Sequence, residues 1–225
     1  MTGWIEIDGM RLRHLDVAPR SGTADGPPVL IIPGHTARIE GYLDLVDRLC
    51  DRRRVLVLDC PGSGESAKPV RRYDLRFYED TLVAYLDALG IERAVPVGGS
   101  LGGNLVLRLG HRFPERFDRL VLWAPGSAWP AKRGLAAFTQ HVAAPTPLGR
   151  LLFWPTVRIQ SRFWYDPAFE HRQQHLDETF GYYRRIMSPG FLRMYWGMAA
   201  DQLGRSLFDL APEIRQPTLL MWGDR

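Results

Sequence analysis

Residues 95–104 read V-P-V-G-G-S-L-G-G-N. An apolar run enters two glycines and a serine, after which Leu101, Leu105, Val106 and Leu109 recur at helical spacing. The stretch therefore reads as a buried strand, a tight turn at Ser100 and a helix that must finish before Pro114. What surrounds it decides whether this is one unit of a repeating βα pattern or an isolated turn.

The pattern repeats. V-L-I-I-P-G (29–34) and R-V-L-V-L-D-C (54–60) are continuous apolar runs, as strands buried on both faces require. Between them Ile39, Tyr42, Leu43, Leu45, Val46 and Leu49 mark a helix through Cys50. Asp74 is placed to cap a helix through Phe77, Leu82, Tyr85, Leu86 and Leu89, with Gly90 as its stop. D-R-L-V-L-W-A-P (118–125) is the next strand, and W-I-E-I with R-L-R-H-L-D-V flanks Asp8–Gly9 as an antiparallel hairpin. Strands alternating with helices imply an α/β fold, a mainly parallel doubly wound sheet covered on both faces.

The pattern changes at Pro125. Residues 126–210 contain no convincing strand, and 14 of the chain's 25 aromatic rings lie between Trp129 and Trp196. Such a segment reads as a helical insertion whose rings largely serve its own core. Q-P-T-L-L-M-W-G (216–223) then returns to the buried-strand pattern. The expected organisation is a core over 1–125, a helical cap over 126–210 and a return to the core over 211–225.

Composition narrows the function classes. With 29 Lys and Arg against 25 Asp and Glu, the net charge of +4 is spread along the chain, so no nucleic-acid partner is expected. No apolar stretch reaches membrane-spanning length, so no membrane partner is expected either. Two cysteines, Cys50 and Cys60, offer no disulfide framework, and a reduced cytoplasmic setting follows as an expectation.

Residues 98–102 fit G-x-S-x-G, a nucleophile elbow in its required strand–turn–helix context. The turn is so tight that its flanking positions must be small, which accounts for Gly98 and Gly102; Gly103 lets the helix lie close to the sheet, and Gly99 completes the elbow. A serine that attacks a carbonyl also needs two N–H donors for the oxyanion. The expected pair is the backbone N–H of Leu101, at a helix N-terminus, and that of His35 in P-G-H-T, where Gly34 allows close approach. A loop that supplies an oxyanion donor is badly placed to present its imidazole as base, so His35 is read for its backbone only.

Four segments together resemble the α/β-hydrolase fold superfamily, in its serine branch with a helical cap after the sixth strand. They are I-I-P-G-H-T (31–36), D-C-P-G-S-G-E-S (59–66), V-G-G-S-L-G-G (97–103) and P-T-L-L-M-W-G-D (217–224). The resemblance covers nearly the whole chain. It departs at Pro33-Gly34, where many relatives have His-Gly, at little cost because the donor is a backbone N–H. It implies a supporting role for Asp59, Gly62, Gly64 and Ser66, and no cofactor.

The resemblance also places a catalytic acid one position past Arg225 and a histidine after an eighth strand. Asp224 is out of register, and the alternative acid position reads W-A-P-G-S, without a carboxylate. His14, His111 and His141 read as surface or packing residues; His171 and His175 share a helical face, but H-R-Q-Q-H lacks the zinc-protease glutamate, so no metal is expected. The expectation is a piece of a longer hydrolase, inactive or nearly so by itself, with its seventh strand open to self-association. Reading the coding DNA past codon 225 tests this. The implied activity is cleavage of a carboxylic ester or related acyl bond in a small molecule with an apolar moiety. A meta-cleavage C–C hydrolase, a cofactor-free haloperoxidase and an acyltransferase are the alternatives in the same fold. A non-catalytic ligand-binding module is the alternative outside catalysis.

Overall fold

The computed structural model describes residues 2–144 and 147–223. One seven-stranded sheet has the order β1-β2-β4-β3-β5-β6-β7. β1 (Thr2–Ile7) and β2 (Met10–Val17) form the hairpin around Asp8 and Gly9, both with positive φ, 50° and 72°. β2 runs antiparallel to β4 (Val55–Leu58). All later pairings are parallel, through β3 (Val29–Ile32), β5 (Val95–Ser100), β6 (Leu120–Pro125) and β7 (Thr218–Met221).

The unbroken apolar runs of β3 and β4 follow from burial on both faces. Leu30, Ile32, Leu56 and Leu58 join the larger core with α2 (Leu75–Ala88) and α3 (Leu101–Arg112). Their neighbours Val29, Ile31, Val55 and Val57 face the opposite way, packing with Val46 of α1 (Leu43–Leu49) and with Cys50. The expected helix from Ile39 begins instead as a 3-10 turn, Ile39–Tyr42, ahead of α1. There the Ile39 N–H donates to the carboxylate of Asp59 at 2.8 Å, a tertiary anchor that helical periodicity does not reveal.

The cap of α2 is the one read from the sequence, since the Asp74 carboxylate accepts the Phe77 N–H at 2.9 Å. Asp74→Ala is expected to cost about 1 kcal/mol, read as a lower urea midpoint at unchanged slope.

Between β6 and β7 the described residues form no strand. They form α4 (Arg133–Phe138), α5 (Pro147–Gln160), α6 (Arg172–Ile186) and α7 (Pro189–Gly204), with a π-helical turn, Thr139–Ala143, following α4. Phe153 of α5 is fully buried, edge-on to Tyr183, Phe191 and Tyr195 at centroid distances of 5.7, 5.5 and 4.9 Å. Much of the aromatic concentration is therefore core packing, although Phe138, Phe163 and Phe169 remain exposed. Among the described residues β7 pairs only with β6, and its Leu219, Leu220 and Met221 are exposed.

Candidate active site

Ser100 ends β5 and immediately precedes α3, with φ +53° and ψ −122°. A residue bearing a Cβ is strained there by about 1–3 kcal/mol. Its surroundings hold it in place. The Ser100 carbonyl accepts the Gly126 N–H at 2.7 Å, and the Asn104 amide donates to the Gly126 carbonyl at 3.0 Å. The ladder with β6 shifts register between Gly99 and Ser100, so that Ser100 opposes Pro125. Ser100 is exposed at the carboxyl ends of the parallel strands, where doubly wound sheets bind ligands.

Each glycine around Ser100 has an identifiable neighbour. A Cβ on Gly98 would lie 2.6 Å from the Gly102 backbone, and one on Gly102 would overlap the Ile32 carbonyl oxygen. One on Gly103 would lie 3.1 Å from Pro125. Gly99 serves a different contact, because its Cβ would overlap the indole nitrogen of Trp123. Helix and strand ends approach this closely only because Gly98, Gly102 and Gly103 carry no side chain.

The loop after β3 comes to the same place. A Cβ on Gly34 would lie 3.6 Å from Ser100 Cβ, and the Gly34 N–H donates to the Tyr42 hydroxyl at 2.9 Å. The His35 N–H makes no hydrogen bond among the described residues. Leu101 is the first residue of α3, so its N–H has no intrahelical partner, and the Ser100 side chain does not cap it. Two backbone donors without a hydrogen-bond partner among the described residues thus lie just past the ends of the paired strands, His35 after β3 and Leu101 after β5.

The His35 imidazole is engaged elsewhere. It stacks on Tyr195 of α7 at 5.0 Å, and its Nε2 is enclosed without a hydrogen-bond partner among the described residues. Burial lowers its pKa from 6.5 to about 4, because desolvation disfavours the imidazolium. The unfolded chain therefore binds the extra proton first as pH falls, and native stability declines from about pH 6.5 down to about pH 4. For this half-buried ring the expected loss is about 2 kcal/mol. Urea midpoints at about pH 7 and about pH 4.5 check it, and His35→Gln should flatten the difference.

No described histidine is hydrogen-bonded to the Ser100 hydroxyl. His14 Nδ1 lies 3.0 Å from the Tyr85 hydroxyl, and His111 Nδ1 lies 3.5 Å from Glu213. His175 stacks on Tyr165 and Phe169, and His171 meets Phe169 edge-on. His141 is exposed, while Asp224 lies outside the described residues. Among the described residues no group of three His, Cys, Asp or Glu side chains is arranged to hold a metal.

Asp59 ties the neighbouring loops together. Fully buried, it accepts the N–H groups of Ile39 at 2.8 Å and Glu65 at 3.0 Å, while the Ser66 hydroxyl donates to its carbonyl at 2.6 Å. Burial pushes its carboxyl pKa up, opposed by those two N–H groups. Gly64, with φ +52°, has no room for a Cβ against this carboxylate, and Gly62 lies against Met194.

Sequence reading missed the tyrosines that complete this shell. Tyr183 and Thr36 hydroxyls lie 2.6 Å apart, and Tyr182 accepts the Gly64 N–H at 2.7 Å. Tyr195 covers His35. The only signal was the aromatic concentration after Trp129, which does not say which ring touches which loop.

These features define a doubly wound α/β protein that presents a serine on a strained turn between a parallel strand and a helix, beside two backbone N–H groups unpartnered among the described residues. The chain belongs to the alpha/beta hydrolase fold family, whose model matches residues 27–225. It is 29% identical, over 98% of its length, to a dihydrolipoyllysine-residue acetyltransferase component of an acetoin cleaving system from Pseudomonas putida, of which it spans 56%. It is 38% identical, over 56% of its length, to a 2-hydroxymuconate semialdehyde hydrolase from Pseudomonas sp. strain CF600, of which it spans 47%. The enol-lactonase of Burkholderia xenovorans LB400 shares the fold at a TM-score of 0.77 and 20% identity, over 99% of this chain and 82% of that one. No described helix is long and apolar enough to cross a membrane.

Proposed function

We propose that this chain carries the nucleophile and oxyanion hole of a serine hydrolase that cleaves a carboxylic ester or related acyl bond. The observation that carries the reading is Ser100 at φ +53°, exposed, beside the N–H groups of His35 and Leu101, which are unpartnered among the described residues. Ser100 Oγ adds to the substrate carbonyl and passes its proton to a base, while the two N–H groups receive the oxyanion. Collapse expels the alcohol, which takes that proton, and water then releases the acyl group from the serine. Since no described histidine is hydrogen-bonded to the Ser100 hydroxyl, the base and its orienting acid are assigned to sequence after residue 225. Helices α4–α7 act as the cap, and rings such as Tyr195 favour a substrate with an apolar moiety.

A meta-cleavage C–C hydrolase is the second reading, favoured by the local likeness to the 2-hydroxymuconate semialdehyde hydrolase. Turnover of a chromogenic short-chain ester against that of a ring-fission dienoate by the protein as encoded separates the two. Faster ester turnover supports the first reading, and turnover of the dienoate alone supports the second. Saturable binding without turnover of either would instead identify a ligand-binding module.

A further inference from the structure

We propose that the outer face of α5 and the turn after it form a docking surface for an anionic lipid bilayer. Between Asp118 and Asp166 the sequence has no acidic residue and six basic ones. Three of these, Arg150, Arg158 and Arg162, are exposed on α5 and on the 3-10 turn Ser161–Phe163 that continues it. Leu151, Ile159 and Phe163 lie between and beside them, and are 72%, 59% and 83% exposed.

The arrangement is one-sided. With about 3.6 residues per turn, Leu151, Arg158 and Ile159 share the side of the helix away from the fully buried Phe153 and Val157, and Arg150 lies at its margin. No ion pair among the described residues uses any of the three arginines. An ordinary solvated helix face carries mixed charges and few large apolar side chains. Here cations alternate with large apolar groups and neither α5 nor the turn Ser161–Phe163 carries a carboxylate, which is the pattern of a helix lying in a membrane interface. Guanidinium groups reach headgroup phosphates while their stems lie along the apolar layer. Leu151, Ile159 and Phe163 reach the acyl boundary. A protein partner would need a carboxylate-rich yet apolar groove, whereas an anionic bilayer supplies both components everywhere on its surface.

The sequence expectation of no membrane partner rested on spanning length, which a helix lying in the interface does not need. The inference is also independent of the role given to Ser100. Through Phe153, the inner side of the same helix packs on Tyr195 of α7, and it is Tyr195 that covers His35.

Vesicle flotation tests it. The protein should float with vesicles of phosphatidylglycerol and phosphatidylcholine in equal parts and stay behind with phosphatidylcholine alone. Salt at about 1 M, where the Debye length is about 3 Å, should release it. Arg158→Gln with Arg162→Gln should lower partitioning about 30-fold, and Ile159→Ser with Phe163→Ser about tenfold. Both pairs change only exposed side chains, and unaltered circular-dichroism melting confirms that each variant is folded. No flotation with the anionic vesicles, or flotation undiminished in both variants, overturns the proposal. So does a dimer on size exclusion that disappears in the same variants, because a second copy would then be what covers the face.

Discussion

Ser100→Ala is expected to lower ester turnover by about four to six orders of magnitude in the protein as encoded, with KM little changed. The substitution removes one oxygen from an exposed position and leaves the strained turn in place, since alanine meets the same φ of +53°. Stability should therefore stay within about 0.5 kcal/mol of the parent. That separation matters, because a loss of activity accompanied by unfolding would say nothing about chemistry. Steady-state kinetics alongside a urea titration provide both readouts. Retained turnover with intact folding would move the nucleophile elsewhere and leave the elbow without its proposed role.

Gly102→Ala is expected to act through the backbone. A Cβ at that position overlaps the carbonyl oxygen of Ile32, at the end of β3. Neither side yields cheaply, because Ile32 is locked in the sheet ladder with Gly98 and Gly102 lies in the first turn of α3. The helix must lift from the strand ends, carrying the Leu101 N–H away from the Gly34–His35 loop. The expected cost is about 3 kcal/mol or more, together with loss of turnover even where the variant remains folded. Gly41→Ala provides the control, since nothing lies within 4 Å of a Cβ there. It should change stability by less than about 1 kcal/mol and leave turnover intact.

Legibility in the sequence followed the range of the interactions. The elbow, the Asp8–Gly9 hairpin and the Asp74 cap obey local rules, and their residues could be named from spacing alone. The loop at Gly34 and His35 was legible because a strand end fixes where its loop emerges. Contacts across the chain were not. Thr36 and Tyr183 meet across 147 positions, and no periodicity announces that pairing. The 3-10 start at Ile39 was missed for the same reason, since the carboxylate that anchors it is 20 positions away. The surface of α5 was hidden differently: a net charge spread along the chain averages out a segment that lacks acidic residues.

Ser100 is proposed to be an activated nucleophile facing an oxyanion hole. Reaction of the protein as encoded with a fluorophosphonate, followed by peptide mass mapping, tests it most directly. One stoichiometric adduct on Ser100, formed rapidly and absent from Ser100→Ala, is the expected result. An adduct on another residue, or equal labelling of the parent and Ser100→Ala, would contradict it.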